Sequence, residues 1–317
     1  MPVDGELGRV EPLQIECFGK LKEAARRTQC LNKMRQLGLS LHNYESAHQA
    51  FPPSRLEPDE QRIPSAQTEN SRAETAFQSW TTLLLPFIEQ GYLSDNFDFD
   101  AAWFDESVSE NLAVIGTQLS IYQCPSSPSP DGVDQYHCIG AAAGDYGSIN
   151  EVKRKVFTDV LGVADPGLSG RSGLLSRFTR NPISLVSDGT SNTLYVAESA
   201  GQPEVYIASG RMTLDGFAIY SDDKGVDFNG SLVPVDGTGW ADPDCGFSIN
   251  GASREGLDKG GPRMINAINV SEAYSFHDGG ANFAMADGST HFISDSIDAG
   301  TFVGLCTRAG GEVVGDF

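Results

Sequence analysis

Residues 30–48, CLNKMRQLGLSLHNYESAH, carry the clearest helical pattern in the chain. Apolar or aromatic side chains recur every three or four positions, so they share one face of a helix, and Asn and Gln side chains occupy the opposite face. Extended back through residues 20–25, this helix would span about 30 residues, or roughly 45 Å. Phe51-Pro52-Pro53 predicts its end, because a proline disfavours helical geometry for the residue before it. The stripe consists of Cys30, Met34, Leu37, Leu41, Tyr44 and His48.

The remainder of the chain changes from helical to β-type patterning. Ser79-Trp80-Thr81 predicts a short helix that Gly91 ends, and residues 106–116 predict another. Farther on, short apolar runs alternate with Asp-Gly pairs, which favour hairpin turns. Asp287-Gly288 separates two such runs and predicts a β-hairpin. The predicted strands are residues 119–123, 142–149, 193–198, 216–220, 247–250, 282–286 and 290–293.

These patterns predict an α+β fold, in which a long N-terminal helix packs on an antiparallel β-rich globular head. We expect three parts. Residues 1–18 form an irregular leader, since two prolines and two glycines break any regular element there. Residues 19–53 form an amphipathic stem helix. Residues 54–317 form the head, with short helices.

The chain of 317 residues has a formal net charge of −21, from 22 Lys and Arg against 43 Asp and Glu. Such a surface repels phosphate backbones and anionic lipids, which excludes nucleic acid as a default partner. Residues 20–35 reverse the trend with six cations and one acid, leaving 16 bases and 42 acids elsewhere. A basic stem and an acidic head would attract each other between neighbouring copies. The alternative is a solvated helix face without specific partners.

The cysteines do not reveal a site by their spacing. No C-x-x-C pair occurs, so a zinc ribbon, a redox pair and covalent haem attachment lack their local signatures. Any disulfide pairing stays open. No stretch approaches the roughly 18 apolar residues of a membrane span, and the first thirty residues lack the apolar core of a secretory signal. The six cysteines are Cys17, Cys30, Cys124, Cys138, Cys245 and Cys306.

Catalytic signatures are absent: the sequence contains no G-x-S-x-G, H-E-x-x-H or Walker motif. A Ser/His/Asp set can be assembled from Ser289, His277 and Asp287, but a triad is recognised by geometry rather than composition. We prefer a structural role for His277, Asp287 and Gly288, in which His277 and Asp287 brace the loops at the two ends of strand 282–286. Replacing either should then lower stability by about 1–3 kcal/mol. We expect no enzymatic activity.

Two acidic loops offer oxygen ligands of the kind that Ca²⁺ prefers. Neither matches the twelve-residue EF-hand loop, so the alternative is that these side chains bond their own backbone in Asx turns. No cofactor is required by the sequence, and a structural Ca²⁺ is the one ion that these loops suggest. The candidate ligands are Asp95, Asp98, Asp100, Asp222, Asp223 and Asp227.

Five segments follow one another in an order that resembles a known family. They are residues 24–33 (AARRTQCLNK) continuing through Leu41-His42-Asn43-Tyr44 and Phe51-Pro52-Pro53; Ser79-Trp80 with 84–90 (LLPFIEQ); 124–128 (CPSSP); 187–193 (SDGTSNT); and His277 followed after nine residues by Asp287-Gly288. Together they resemble the type IV pilin-like (pseudopilin-like) proteins of planctomycetes. The last segment is similar to that family's prepilin-processing-associated motif.

This resemblance implies a subunit of pilus-like machinery, located at the cell surface or outside the cell, with a stem helix in a filament core and a β-rich head outside. Other copies of the chain, or other pilin-like subunits, are the implied partners. The chain departs from the family near its start, where residues 3–22 are polar instead of forming a membrane span. Assembly would then depend on the stem. The expected interface comprises Arg26, Arg27, Lys33 and Arg35 facing an acidic head, with Leu37, Leu41 and Tyr44 joining stems.

The sequence therefore favours a non-enzymatic structural subunit of a filament, lattice or shell. The alternative is an extracellular module that binds a glycan or peptide, with Ca²⁺ as an aid, through exposed Trp103, Trp240 and Tyr residues in acidic turn loops. Trp80 lies in an apolar helical run and is expected in the core.

Overall fold

A computed structural model describes residues 12–56, 78–128, 131–134, 138–208, 210–211, 237–256, 259–312, 315 and 317, with side chains from residue 19 onward except that of Arg211. Its helices are α1 (Pro12–His48), α2 (Trp80–Leu83), α3 (Gly91–Asp95), α4 (Ser109–Ile115), α5 (Gly167–Arg171) and α6 (Ala299–Cys306). Its strands are β1 (Arg55–Leu56), β2 (Gln78–Ser79), β3 (Tyr146–Val152), β4 (Leu194–Glu198), β5 (Tyr206–Ile207), β6 (Gly210–Arg211), β7 (Phe247–Ile249), β8 (Gly280–Met285) and β9 (Thr290–Ser294).

Helix α1 is longer at its start and shorter at its end than the sequence predicts. It begins at Pro12, so residues 12–18 of the expected leader are helical. A proline is tolerated in the first turn because no N–H donor is needed there. The helix ends at His48 rather than residue 53, and Gln49 takes a left-handed conformation with φ of 60°, as is common at helix ends. Residues 1–11 lie outside the described part of the chain.

A five-stranded sheet in the order β7-β3-β4-β8-β9 forms the centre of the head. The pairs β3/β4, β4/β8 and β8/β9 are antiparallel, whereas β7 runs parallel to β3. The α+β prediction is confirmed. Residues 120–122, predicted as part of a strand, form a 3-10 turn instead, and Gly91 begins α3 rather than ending a helix. The predicted strand 216–220 lies outside the described residues.

The predicted hairpin is confirmed. Strands β8 and β9 pair from Gly280 opposite Ser294 to Ala284 opposite Thr290. At the turn, Asp287 Oδ1 accepts a hydrogen bond of 2.8 Å from the Ser289 N–H, and Gly288 has φ of 84°. Glycine adopts this conformation without the steric cost that a Cβ would bring. Asp287 and Gly288 therefore shape the turn itself.

The sheet is buried on both faces. Along β8, Ala284 faces the core that contains α1, while Phe283 and Met285 face the core that contains α6. This alternation follows from the two-residue period of a strand. Small side chains on one face let α1 approach closely. A Cβ placed on Gly38 would lie 3.6 Å from the carbonyl oxygen of Gly288, so α1 crosses the β8–β9 turn at Gly38.

Three residues assigned to a stem–stem interface are instead core residues of the chain's own head. Leu37, Leu41 and Tyr44 have at most 2% of their surface exposed, and they pack with Trp80, Tyr195 and Ala284. Side chains already buried in this way cannot also join neighbouring copies. The apolar stripe is confirmed from Cys30 to Tyr44, but His48 is exposed.

No helix within the described residues is both long enough and apolar enough to cross a membrane.

Candidate functional site

Four side chains that are far apart in sequence meet at one point between α1 and the sheet. They are Cys30, Cys124, Glu198 and His277, and one donor atom from each lies within 4.8 Å of all the others. All four residues are buried. Within the described ranges, this is the group of His, Cys, Asp and Glu side chains whose donor atoms converge.

Helix α1 brings two residues to the site. Glu23 and Cys30 are seven residues apart, which is two helical turns, so they lie on the same face. Cys30 has 0% exposure, and its Sγ lies 2.7 Å from Cys124 Sγ. Glu23 is at the edge of the site, where it accepts hydrogen bonds from Ser126 Oγ at 3.0 Å and from His277 Nδ1 at 2.5 Å.

Cys124 follows a 3-10 turn, and its backbone is hydrogen-bonded to the buried carboxylate of Asp145. Its backbone N–H donates to Asp145 Oδ2 at 2.7 Å, and Asp145 Oδ1 accepts from the Gly201 N–H at 2.8 Å. Burial raises the pKa of Asp145 to about 7, although both hydrogen bonds act in the opposite direction. Asp145 thus ties the Cys124 loop to the loop that follows β4.

Glu198, the last residue of β4, points toward α1 with one oxygen anchored and one free. Oε2 accepts from the backbone N–H and from Nδ2 of Asn282 on the neighbouring strand β8, at 2.9 and 2.8 Å. Oε1 is buried, accepts no hydrogen bond within the described structure, and lies 3.4 Å from His277 Nε2. The pairing of β4 with β8 therefore aims Oε1 into the cluster.

His277 completes the site from the loop before β8. Its Nδ1–H donates to Glu23, which directs Nε2 toward Cys124 Sγ at 3.7 Å. Burial by itself would lower the pKa of His277, but its close contacts with the Cys30 thiol and the Glu198 carboxylate, and the charge of that carboxylate, raise it to about 10. The imidazole accordingly links the stem helix to the sheet.

The pKa values of the two thiols are shifted in opposite directions from that of a free cysteine. The hydrogen bond with Cys124 lowers the pKa of Cys30 to about 7, more than burial raises it. The same hydrogen bond, together with burial, raises the pKa of Cys124. Burial also opposes ionisation of Glu198, yet its close contact with His277 and the charge of His277 lower the pKa of Glu198 overall.

The serine triad considered from the sequence is not assembled. Ser289 Oγ lies 3.1 Å from His291 Nε2, and Asp287 accepts from the Ser289 backbone. His277 is at the other end of the six-residue strand β8, which spans about 20 Å. His277 was expected to brace the loop before strand 282–286, and its side-chain partners belong to α1, the Cys124 loop and β4.

The structure describes one of the two acidic loops and all three tryptophans. Asp98 Oδ1 accepts from the Asp100 N–H at 3.0 Å, an Asx turn, and neither residue nor Asp95 belongs to the converging donor group in the described structure. Asp222, Asp223 and Asp227 lie outside the described residues. Trp103 and Trp240 are buried rather than exposed, whereas Trp80 is in the core as predicted.

Sequence reasoning singled out His277 but missed its neighbours. Glu23, Cys124 and Glu198 are separated from His277 by 254, 153 and 79 residues, and no local spacing connects them. The available signal was that Cys30, Cys124 and His277 each fall within a family-like segment.

Comparison with known proteins gives one match. The family model SBP_bac_10, described as "Protein of unknown function (DUF1559)", matches residues 19–300. No curated protein and no solved structure matches the chain.

Proposed function

We propose a structural role for this chain, which belongs to the DUF1559 family of proteins of unknown function. In this proposal it is a non-enzymatic subunit of a pilin-like assembly, at the cell surface or outside the cell, and its partners are copies of itself or other pilin-like subunits. The pilin-like segments of the sequence support the proposal, as does the combination of a long N-terminal helix with a β-rich head.

The observation that carries the proposal is the change in burial along α1, which occurs at Cys30. From Cys30 onward one face of the helix is buried in the head, whereas residues 19–29 are exposed except for half-buried Glu23. Most of the stability of a helix in a protein comes from packing of one face, and residues 19–29 have little such packing within the described structure. A neighbouring subunit that covers this segment would stabilise it.

The cations of the stem fall into two groups: those that contact the chain's own head, and those that are exposed on the segment before Cys30. The Arg27 guanidinium lies 3.8 Å from the centre of the Phe292 ring, Lys33 Nζ donates to the Gln123 carbonyl at 2.8 Å, and Arg35 Nε donates to Thr290 Oγ1 at 3.1 Å. These three bind their own head. Arg26 is exposed, with Glu23 at 3.9 Å.

The exposed cations before Cys30 define a revised interface. Lys20, Lys22 and Arg26 are exposed on the segment before Cys30, so they can meet an acidic head of a neighbouring copy. This group replaces the originally expected interface, whose apolar members are core residues and whose other cations have partners within the chain.

Charge reversal of Lys20, Lys22 and Arg26 to Glu tests the proposal. The matched control reverses three exposed cations of the head, Arg154, Lys155 and Arg254. Both variants change the net charge by the same amount, so general repulsion between copies is equal. We expect the stem variant to lose ordered assemblies in negative-stain electron microscopy and to lower the mass measured by analytical ultracentrifugation, while the control retains them. Equal self-association of the two variants, or a monomeric wild-type protein, would contradict the proposal.

The binding-module alternative has lost part of its support. It relied on exposed Trp103, Trp240 and Tyr residues, and both Trp side chains are buried, whereas Tyr92 is 79% exposed.

A further inference from the structure

The buried cluster at the junction of α1 and the sheet has the donor atoms of a transition-metal site. Two cysteines, one histidine and one glutamate converge there. Sulfur and imidazole nitrogen are the donors that Zn²⁺ takes in proteins, often with a carboxylate as a further ligand. Ca²⁺ and Mg²⁺ prefer oxygen donors throughout. The chemistry of the four side chains thus selects a thiophilic divalent ion.

Two of the separations between donor atoms agree with a tetrahedral metal site. Zinc bonds of about 2.0–2.3 Å imply distances of roughly 3.3–3.8 Å between ligand atoms. Cys124 Sγ and His277 Nε2 are 3.7 Å apart, and His277 Nε2 and Glu198 Oε1 are 3.4 Å apart. Cys30 Sγ and Cys124 Sγ, at 2.7 Å, would have to separate by about 1 Å.

The atoms on the far side of the ligands are already anchored. His277 uses Nδ1 for Glu23, and Glu198 uses Oε2 for both donors of Asn282. Nε2 of His277 and Oε1 of Glu198 therefore remain directed into the cluster. Metal-binding histidines are typically oriented by a carboxylate in this way. Leaving a buried carboxylate oxygen without a hydrogen bond is costly. Oε1 has only His277 Nε2 nearby, at 3.4 Å, and a metal ion in the cluster would bond to it directly.

We propose that Cys30, Cys124, Glu198 and His277 bind one Zn²⁺ ion, which fastens the stem helix to the head. The ligands come from α1, the Cys124 loop, the end of β4 and the loop before β8. Four protein ligands in a buried position leave no place for water or substrate, which is the arrangement of structural rather than catalytic zinc. Glu23 acts as a positioning residue through His277.

A disulfide between Cys30 and Cys124 is the competing arrangement. It would use both sulfur atoms, and it would leave the buried Oε1 of Glu198 with His277 Nε2, at 3.4 Å, as its charged neighbour. The two arrangements differ in metal content and in the number of free thiols, so they can be distinguished in one preparation.

The experiment uses the full-length chain without an affinity tag. Its metal content is measured by mass spectrometry of the elements after dialysis, and its free thiols are counted after denaturation without a reductant. Zn²⁺ and Co²⁺ are then titrated into the protein after the metal has been removed with a chelator. We expect one equivalent of metal, a higher Tm with Zn²⁺, and cobalt spectra with thiolate charge-transfer bands and tetrahedral d–d bands.

Single substitutions assign the ligands. Cys30→Ser and Cys124→Ser should weaken Zn²⁺ binding by about 100-fold or more, beyond the roughly 10–100-fold loss expected for Glu23→Ala, which removes a group that only orients a ligand. Cys138→Ser is the matched control, because Cys138 is also buried but lies outside the cluster. Glu198→Gln preserves shape and should change the cobalt d–d bands even if the cysteine variants fail to fold.

Three results would overturn the proposal. The first is a Cys30–Cys124 disulfide in the protein as isolated, identified by peptide mass spectrometry. The second is the absence of one-to-one Zn²⁺ or Co²⁺ binding by the reduced chain. The third is equal metal binding by Cys30→Ser and Cys138→Ser. Because the readouts are metal content and spectra, they are independent of whether the protein assembles.

Discussion

Glu272 shows how burial controls a single ionisable residue in the head. Its side chain is almost completely buried, with Oε1 accepting a hydrogen bond of 2.7 Å from the Asn250 N–H and Oε2 having no partner in the described structure. Burial raises its pKa to about 8, although the hydrogen bonds from Asn250 act in the opposite direction. Desolvation disfavours the charged form more than these contacts favour it.

Glu272 should make the free energy of unfolding fall as pH rises. Between its usual pKa of 4.5 and its folded pKa of about 8, the folded state binds a proton that the unfolded state releases. Stability therefore decreases through this window. Glu272→Gln should be more stable than wild type at pH 8.5 by a few kcal/mol, at about 1.4 kcal/mol per pKa unit, and similar at pH 4.5. Urea unfolding at both pH values measures the difference.

The control for this prediction is Glu255→Gln, which makes the same chemical change at an exposed position. Its difference from wild type should be small at both pH values. If the free energy of unfolding of wild type and of Glu272→Gln changed with pH in parallel, burial of Glu272 would have no such effect.

Two leucines of α1 differ in their burial although they are only two positions apart. Leu41 has 0% exposure and Leu39 has 64%, because positions two apart on a helix point in different directions. We expect Leu41→Ala to lower the free energy of unfolding by about 2–5 kcal/mol through cavity formation. Leu39→Ala should change it by less than about 0.5 kcal/mol. Equal effects in chemical denaturation would contradict the assignment of Leu41 to the core.

Helix α6 depends on a cap that the sequence analysis did not identify. Asp298 Oδ1 accepts from the Thr301 N–H at 3.0 Å, and the buried face of the helix includes Phe302 and Leu305. Asp298→Ala should lower the free energy of unfolding by about 1 kcal/mol, whereas Asp298→Asn should preserve most of it, since Asn is an equally good cap. Thermal unfolding of the three proteins tests this, and a loss shared equally by both variants would point to the charge instead of the cap.

At the scale of the whole molecule, charge is segregated between stem and head. Residues 20–35 carry six cations and one acid, and the rest of the chain carries 16 bases and 42 acids. In the proposed assembly, the acidic heads of neighbouring copies would repel one another while a basic stem would attract a neighbouring head. Added salt weakens both effects, so the salt dependence of the wild-type protein alone does not isolate the attraction.

The attraction between a stem and a neighbouring head is isolated by comparing the self-association of the stem and head charge-reversal variants. We expect the stem variant to self-associate less than the head variant at about 50 mM salt and the two to converge near 1 M, where the screening length is about 3 Å. Sedimentation across a salt series measures this. A difference that persists unchanged at high salt would indicate packing rather than charge as the cause.

Local sequence patterns were sufficient to predict the elements that are stabilised by contacts between residues close in sequence. The 3.6-residue period predicted α1 and its buried stripe from Cys30 to Tyr44, and the Asp287-Gly288 pair predicted the β8–β9 hairpin and its turn. The helix boundaries were less well predicted, because Pro12 is acceptable at a helix start and Gln49 adopts a left-handed conformation without a glycine. The period also extended the stripe to His48, where the head no longer covers the helix.

The amino-acid sequence alone determined the α+β class, the stem helix, the hairpin and the separation of charge, since each follows from neighbours along the chain. Only the tertiary structure decided which face of the stem is covered by the head and which side chains meet at His277. Those contacts join residues up to 254 positions apart, and they arise from the pairing of β4 with β8 and from the packing of α1 across that pair. Local spacing carries no information about such distances, because they are set by the fold as a whole.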